Sequence, residues 1–315
     1  MKKVLFISRK AERCGVNDYG KRVNSILQKS DLFKFYFVEI ESAEDYIKVY
    51  NEVLPNVVLY NYYPMILPFI TDNFLAPIRH IPHIAVYHGA GLAFSPNGII
   101  DIDSTKEERP DDYLFVSPRP LFDTNFSEEY QINEIPKIGS FGFGFPDKNF
   151  PKIAELVCGQ FEKAVIRLNI PFATFGDNEG NSAKNEIEKV KKVIELSGNK
   201  NIDLEVNHNF LEHDEVLEFL RENDINVFLY DKHETRSLSS TIDYALSVKK
   251  PIAISNSAMF RHIRNSSPSI CVDDITLPEI IKNGVEPLKQ FSEIHSRKKL
   301  LEKYEFTLTT ILNQK

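Results

Sequence analysis

The chain has 315 residues, 42% hydrophobic and 26% charged, with a formal net charge of −7; that length fits two ordinary domains and that charge argues against bulk attraction to nucleic acid. Cys14, Cys158 and Cys271 are widely spaced with no CxxC pair, which argues against a disulfide framework or a zinc site and fits a reducing cytoplasm. No apolar run approaches membrane-spanning length, and the opening Met-Lys-Lys-Val-Leu-Phe-Ile-Ser is too short for a signal peptide and reads as a first strand.

In chain order, residues 4–8 read as that strand, 9–17 as a loop and 18–29 as a helix. Residues 35–40 are strand-like. Residues 43–53 form a helix with Tyr46, Val49, Tyr50 and Val53 on one face. Further strands are expected over 56–60, 83–87 and 113–117, the last ahead of the turn residues Ser117-Pro118-Arg119-Pro120. A polar stretch without period, 127–136, reads as a linker. Beyond it the alternation restarts: strand 137–141, helix 150–168, strand 172–175, helix 182–196, strand 202–206 and helix 214–222. A buried strand then begins at Asp224, followed by a polar loop, a helix opening at Ser239-Ser240-Thr241, and another apolar strand after Pro251. A last helix spans 293–312. Near-continuous apolar strands separated by helices indicate parallel sheets covered on both faces.

This pattern divides into an N-terminal Rossmann-like domain over 1–130, a second over 137–290 and a C-terminal helix over 291–315 that packs back on the first. Ligands of such sheets bind at the carboxyl ends of strands. The loops expected there are 9–17, 88–98, 142–148, 177–181, 209–213 and 232–241. Ser239, Ser240 and Thr241 stand where a helix begins, where side-chain capping and free N–H groups favour a phosphate. Asp101-Ile102-Asp103 has the D-x-D form that binds a divalent ion, but the tripeptide is common by chance and lies in a polar loop, so no metal is expected. Gly142-x-Gly144 lacks the third glycine of a dinucleotide fingerprint. No Gly-x-Ser-x-Gly, Walker A or His-Glu-x-x-His motif occurs. Arg297-Lys298-Lys299 with Leu300, Leu301 and Tyr304 would suit an anionic membrane surface, although a solvated helix face is commoner. Tyr60, Tyr62 and Tyr63, followed by Met65 to Ile70, read as core or as the lining of an acceptor pocket.

Three segments carry a family resemblance. They are Cys14-Gly15-Val16-Asn17-Asp18-Tyr19, the run from Ile138 through Gly142-Phe143-Gly144 to Lys148-Asn149, and Glu234 through Pro251. The chain resembles the group-1 (family-4 type) retaining glycosyltransferases, whose GT-B architecture places two Rossmann-like domains across a cleft. The resemblance implies hexose transfer from a nucleotide diphosphate sugar to a glycan or lipid-linked saccharide, with retention, as in polysaccharide biosynthesis. It implies no metal and no cofactor beyond the nucleotide sugar as co-substrate, and a cytoplasmic enzyme with peripheral membrane contact where the acceptor is lipid-linked.

On this resemblance Lys148 neutralises the departing diphosphate, where a cation helps most. Gly142, Gly144, Asp177, Arg236, Ser239, Ser240 and Thr241 line the donor phosphates. Asn209 and Phe210 lie by the nucleobase, although Phe210 also reads as a hydrophobic plug. Gly15, Asn17 and Asp18 face the acceptor, with Asp18 ranked first as a helix cap. Glu234 contacts sugar hydroxyls, and His88 stands near the transferred sugar. The family arginine falls on Phe143 and its two glutamates on Arg236 and Tyr244, leaving Glu234 and Asp243 as the nearest acids. Two other readings stay open. One is a nucleotide-sugar 2-epimerase using His88 and Glu234 as acid and base. The other is a non-catalytic protein that recognises glycans or a partner glycosyltransferase.

Overall fold

The computed structural model describes residues 1–11, 14–126, 132–173, 177, 179–232 and 237–314. It divides into two compact units. The first joins Met1–Leu121 to Glu293–Lys315, and the second is Phe122–Ser292.

In the first unit the order is β1 (Lys2–Arg9), α1 (Gly15–Leu27), β2 (Phe33–Ile40), α2 (Ala43–Val53), β3 (Val57–Tyr62), α3 (Asp72–Leu75), β4 (His83–Tyr87), β5 (Gly98–Asp101) and β6 (Leu114–Val116). These strands form one parallel sheet in the order β2-β1-β3-β4-β5-β6. The central strands are buried on both faces, as their apolar runs require. Alternate residues serve opposite cores. Val4, Phe6, Val57 and Leu59 pack with Val23 and Leu27 of α1, whereas Leu5, Ile7, Val58 and Tyr60 pack with Tyr46 of α2. A capping box between Ser42 and Asp45 starts α2, and Leu54 ends it in the left-handed region at φ 50°.

The second unit continues with β7 (Lys137–Phe141), α4 (Phe150–Gln160), β8 (Ala164–Asn169), α5 (Asn181–Ser197), β9 (Ile202–Asn207), α6 (His213–Arg221), β10 (Ile225–Phe228), α7 (Thr241–Ser247), β11 (Ile252–Ile254) and α8 (Leu277–Asn283). Its strands form a parallel sheet in the order β11-β10-β7-β8-β9. Then α9 (Lys289–Ile294) leads to α10 (Arg297–Leu312). Leu300, Tyr304, Leu308 and Ile311 of α10 complete the core of the first unit, and Ser30 Oγ donates to Glu305 Oε1 at 2.5 Å.

Several expectations need correction. The helix expected over 150–168 stops at Gln160, beside Gly159, and Ala164–Asn169 forms β8 in its place; residues 174 and 175 of the strand expected over 172–175 lie outside the described residues. β5 and α8 were not anticipated. Helix α1 begins at Gly15 with Cys14 at its N-cap, so Asp18 lies in the first turn and is not the cap. Residues 122–126, expected with the N-terminal half, belong to the second unit. There the Phe122 N–H donates to Ser247 Oγ at 2.9 Å and Thr124 Oγ1 donates to Ser247 O at 2.9 Å. Part of the expected linker, 127–131, lies outside the described residues. Leu300 and Tyr304 are buried in the first unit's core, so the apolar side of the 297–304 segment is not offered to a membrane. Among the described residues no helix is long and apolar enough to cross one.

Candidate functional site

Strand order reverses between β7 and β10 in the second sheet and between β1 and β3 in the first. Beyond the carboxyl ends at such a reversal two loops diverge and leave a crevice. Gly142, Gly144, Lys148, Ser239, Ser240 and Thr241 come from the loops at the second unit's reversal and His88 lies beside the first unit's, whereas Asn209 and Phe210 follow β9 at the edge of the second sheet.

In the second unit Gly142 follows β7 with φ +141°, a conformation L side chains rarely adopt. Its N–H donates to Asn169 O at 3.0 Å. Among the described residues a Cβ there would meet Tyr230 Oη at 3.9 Å and Lys148 Cε at 4.0 Å, ordinary van der Waals contacts, so those two side chains stand over this glycine. Gly144 is constrained differently. A Cβ on it would lie 2.3 Å from Ala183 Cα, and its carbonyl accepts from Ser182 Oγ at 2.5 Å. The first glycine shapes the loop; the second lets α5 pack against it.

A single 3-10 turn, Pro146–Lys148, then sets Lys148. Its Nζ stands 3.7 Å from the centroid of the Tyr230 ring. The Asp231 N–H donates to Asp147 O at 3.0 Å and ties the two loops together. Tyr230 Oη donates to Thr241 Oγ1 at 3.4 Å, and Thr241 Oγ1 is 2.8 Å from Ser239 Oγ. Lys148, Ser239 and Thr241, singled out from distant parts of the sequence, are thus linked through Tyr230. The sequence reading missed that tyrosine because an aromatic residue following a buried strand looks like core.

The expected capping is different in detail. Ser240 occupies the N-cap position of α7 with helical dihedrals and makes no side-chain cap bond. The Thr241 N–H instead reaches Ser239 Oγ at 3.4 Å. With seven residues, about two turns, α7 is a short helix, and the hydroxyls rather than its dipole are the substantial polar feature. Asp177 is buried, and its carboxylate accepts from the Ser182 and Ala183 N–H groups at 2.8 and 3.1 Å. Both oxygens therefore serve the first turn of α5. Asn209 donates its N–H to Asn207 Oδ1 at 2.9 Å and accepts from Asn169 Nδ2 at 3.1 Å; Phe210 is half-buried beside it. Tyr244, where a family glutamate was expected, meets His213 Nδ1 through its hydroxyl at 2.6 Å and packs on Phe122 with ring centroids 4.4 Å apart. Glu234 and Arg236 lie outside the described residues.

In the first unit the reversal gathers Ser8, Asn61 and His88. Asn61 Nδ2 donates to Ser8 Oγ at 3.0 Å and to Val16 O at 2.5 Å. A carbonyl can only accept, so the amide orientation is fixed and Asn61 Oδ1 is the acceptor facing His88 Nε2 at 2.6 Å. His88 Nε2 therefore carries the hydrogen and donates. Burial, with the Arg119 charge as a second cause, pushes its pKa down to about 3, so the imidazole is neutral at physiological pH. Tyr19 packs edge-on against it at 5.0 Å. Arg119, read from sequence as a turn residue, is buried, donates to Ile102 O at 3.3 Å and lies 5.5 Å from the Tyr19 ring.

Gly15 is exposed, and among the described residues nothing lies within 4 Å of where its Cβ would stand. Asn17, expected to face an acceptor, is fully buried; its Nδ2 donates to Arg9 O and to Glu39 Oε1 at 2.6 Å. Gly20 leaves room for Asn61, whose Nδ2 would lie 2.6 Å from a Cβ. Asp101 of the D-x-D sequence accepts from the Asp103 N–H at 2.9 Å and pairs with Lys106 at 2.8 Å. Tyr60 and Tyr62 are core residues, and Tyr60 Oη lies 2.8 Å from Tyr46 Oη and 2.7 Å from His83 Nδ1.

No family model matches the sequence, and no curated protein matches it either. Comparison with solved structures is informative about the fold. HepE of Anabaena, solved in complex with UDP and glucose, matches with a TM-score of 0.62 and 11% identity over 98% of this chain and 100% of that one. The lipopolysaccharide outer core galactosyltransferase WaaB matches with a TM-score of 0.63 and 9% identity, over 98% of this chain and 99% of that one. Sucrose-phosphate synthase of Thermosynechococcus elongatus matches with a TM-score of 0.58 and 9% identity, over 99% and 97%. The chain has the two-sheet α/β fold of GT-B glycosyltransferases.

Proposed function

We propose that this chain is a glycosyltransferase that moves a hexose from a nucleotide diphosphate sugar to a glycan or lipid-linked saccharide, with retention and without a metal. One observation carries the reading: Lys148 stands with the Ser239–Thr241 hydroxyl pair around Tyr230, over Gly142. Negative charge grows on the diphosphate as the sugar–oxygen bond breaks, and a fixed cation with nearby hydroxyl donors stabilises that charge. Lys148 supplies the charge in this reading, and Arg236 would add a second. Glu234 would hold sugar hydroxyls. HepE was solved in complex with UDP and glucose, and WaaB is a lipopolysaccharide outer core galactosyltransferase, which supports the same substrate class.

The first unit would present the acceptor near Gly15 and Asp18. His88, neutral down to a pH of about 3, suits hydrogen bonding and shape rather than proton transfer. That weighs against the epimerase alternative, which needs an acid–base group poised near neutral pH. The non-catalytic alternative draws on Tyr244, whose hydroxyl is committed to His213 where the family has an acid.

A thermal-shift screen of UDP, GDP, ADP and CMP, with and without their sugars, tests the donor site on wild type and Lys148→Ala. A ligand at about 100 times its dissociation constant stabilises by roughly 2.7 kcal/mol. Stabilisation by one diphosphate that weakens in the variant is expected, and no shift with any nucleotide would overturn the reading. Release of that diphosphate from its sugar in the presence of EDTA then separates a metal-free enzyme from a binding protein.

A further inference from the structure

β3 is one of the two strands at the strand-order reversal of the first sheet, and residues 63–70 carry the chain away from its carboxyl end. Tyr62, the last residue of β3, is core, but the turn beyond it is apolar and partly uncovered. Leu67 and Ile70 are fully buried in one cluster with Leu75 and Phe94 and anchor the turn. The Ile66 and Leu67 N–H groups both donate to Tyr63 O, at 3.0 and 3.1 Å, which fixes its crest. Met65 stands on that crest 81% exposed, more than any other large apolar side chain among the described residues. Pro68 is also exposed, and Ile66 and Phe69 are half-buried. Phe69 is held edge-on against Phe74, with ring centroids 5.6 Å apart.

The turn is joined to the loop that carries His88. The Ala93 N–H donates to Tyr62 Oη at 3.1 Å, and Leu92 packs on the same core cluster. Gly89, Gly91 and Ala93 of that loop are exposed and bear no polar side chain, so the apolar surface continues from Met65 into it. The acceptor position proposed above, near Gly15 and Asp18, follows β1, the other strand of the same reversal. From Asn61 to Thr71 no side chain is charged, so the turn does not complement an anionic bilayer. It offers a handful of side chains, against the roughly 20–30 residues a side of a stable protein interface. A single hydrocarbon chain meets both limits, being uncharged and needing only a small seat. Methionine, unbranched and polarisable, moulds readily to such a chain.

We propose that the 63–70 turn seats the apolar tail of the acceptor, so that the acceptor is a saccharide joined to a lipid and not a free glycan; this rests on the glycosyltransferase reading. The tail lies along Met65, Ile66 and Phe69, and its saccharide end is directed to the crevice between β1 and β3. Burial of the tail supplies affinity in proportion to the apolar area it removes from water.

Isothermal titration of maltose and of hexyl, octyl and decyl maltoside, each below its micellar concentration, into wild type and Met65→Lys tests this. Every two methylenes added should tighten binding to wild type about tenfold, and Met65→Lys should flatten that series. The chain has no tryptophan, so Met65→Trp adds a single reporter. Its emission should move to the blue with decyl maltoside and stay in place with maltose. Affinity independent of tail length, a series unchanged in Met65→Lys, or an unmoved emission would overturn the tail site. Pelleting with phosphatidylcholine vesicles that Met65→Lys abolishes would give the turn to a bilayer, and a dimer that the same variant dissociates would give it to a second copy; either result overturns the proposal. UDP, GDP and ADP titrated into wild type and Lys148→Ala report the donor site separately. Nucleotide binding that depends on Lys148 leaves the glycosyltransferase reading standing when the tail site fails, and no nucleotide binding to wild type overturns both.

Discussion

Lys148 Nζ lies 3.7 Å from the centroid of the Tyr230 ring, with the tyrosine hydroxyl turned toward Thr241 at 3.4 Å. The ring face holds the cation by its quadrupole, worth about 1 kcal/mol at a partly exposed site. The lysine comes from the loop after β7 and the tyrosine from the loop after β10, so this contact spans the two loops of the strand-order reversal.

Tyr230→Leu should therefore weaken nucleotide diphosphate binding by about fivefold, from loss of the ring beneath the ammonium. Tyr230→Phe keeps the ring and forgoes only the bond to Thr241, about 1 kcal/mol of stability. Titration calorimetry on the two variants separates these effects. Equal affinity losses in both would remove the cation–ring contact from the account.

Gly144→Ala should destabilise the second unit by about 1–3 kcal/mol, because the new methyl carbon meets the backbone of Ala183 and α5 must move. Urea denaturation followed by circular dichroism reads this directly. A variant as stable as wild type would show that α5 is not seated as described.

Asp177→Ala removes the acceptor for two amides at the start of α5. The expected loss is about 1 kcal/mol of stability, with nucleotide affinity unchanged. A large affinity loss at unchanged melting temperature would instead assign Asp177 to the ligand.

His83 and His88 give the first unit a pH dependence. Burial lowers their pKa values to about 4 and about 3, against 6.5 for the free side chain. The unfolded chain takes up these protons first as pH falls. The stabilisation is therefore complete above about pH 6.5 and is lost progressively down through pH 4 and 3, a few kcal/mol in all. Urea midpoints should fall between pH 7.5 and 5, where carboxylates remain ionised, and the fall should be smaller in His88→Gln. A midpoint that stays level across that interval would refute the buried neutral state.

Much of the architecture was legible because parallel strands buried on both faces leave uninterrupted apolar runs. The runs at Val57–Tyr62, His83–Tyr87 and Lys137–Phe141 are short, apolar and bounded by loops. β8 was misplaced because no proline or glycine separates it from α4 after Gly159, so Phe161 to Leu168 continues an apparent helical pattern. β5 has only four residues, too few for a period. At the site, glycine spacing and a lysine pointed to Lys148, and clustered hydroxyls pointed to Ser239 and Thr241. Tyr230, Asn61 and Arg119 were passed over for a common reason. Each matters through a partner distant in sequence, and a tyrosine, asparagine or arginine beside an apolar run carries no local signal of that partner.

The first unit draws on both ends of the chain. Ile311 of α10 packs so tightly over Gly98 that a Cβ on the glycine would lie 2.3 Å from its Cδ1. Helix α10 also fills the core beside Ile100 and Phe115. During synthesis on a ribosome the second unit emerges whole, with every strand of its sheet available, before the first unit possesses its last core helix. The order of maturation is thus the reverse of the order of translation: the half made first is the half that finishes last, and a chain ending at Ser292 would carry every strand of the second unit beside a first unit with one flank of its sheet still bare.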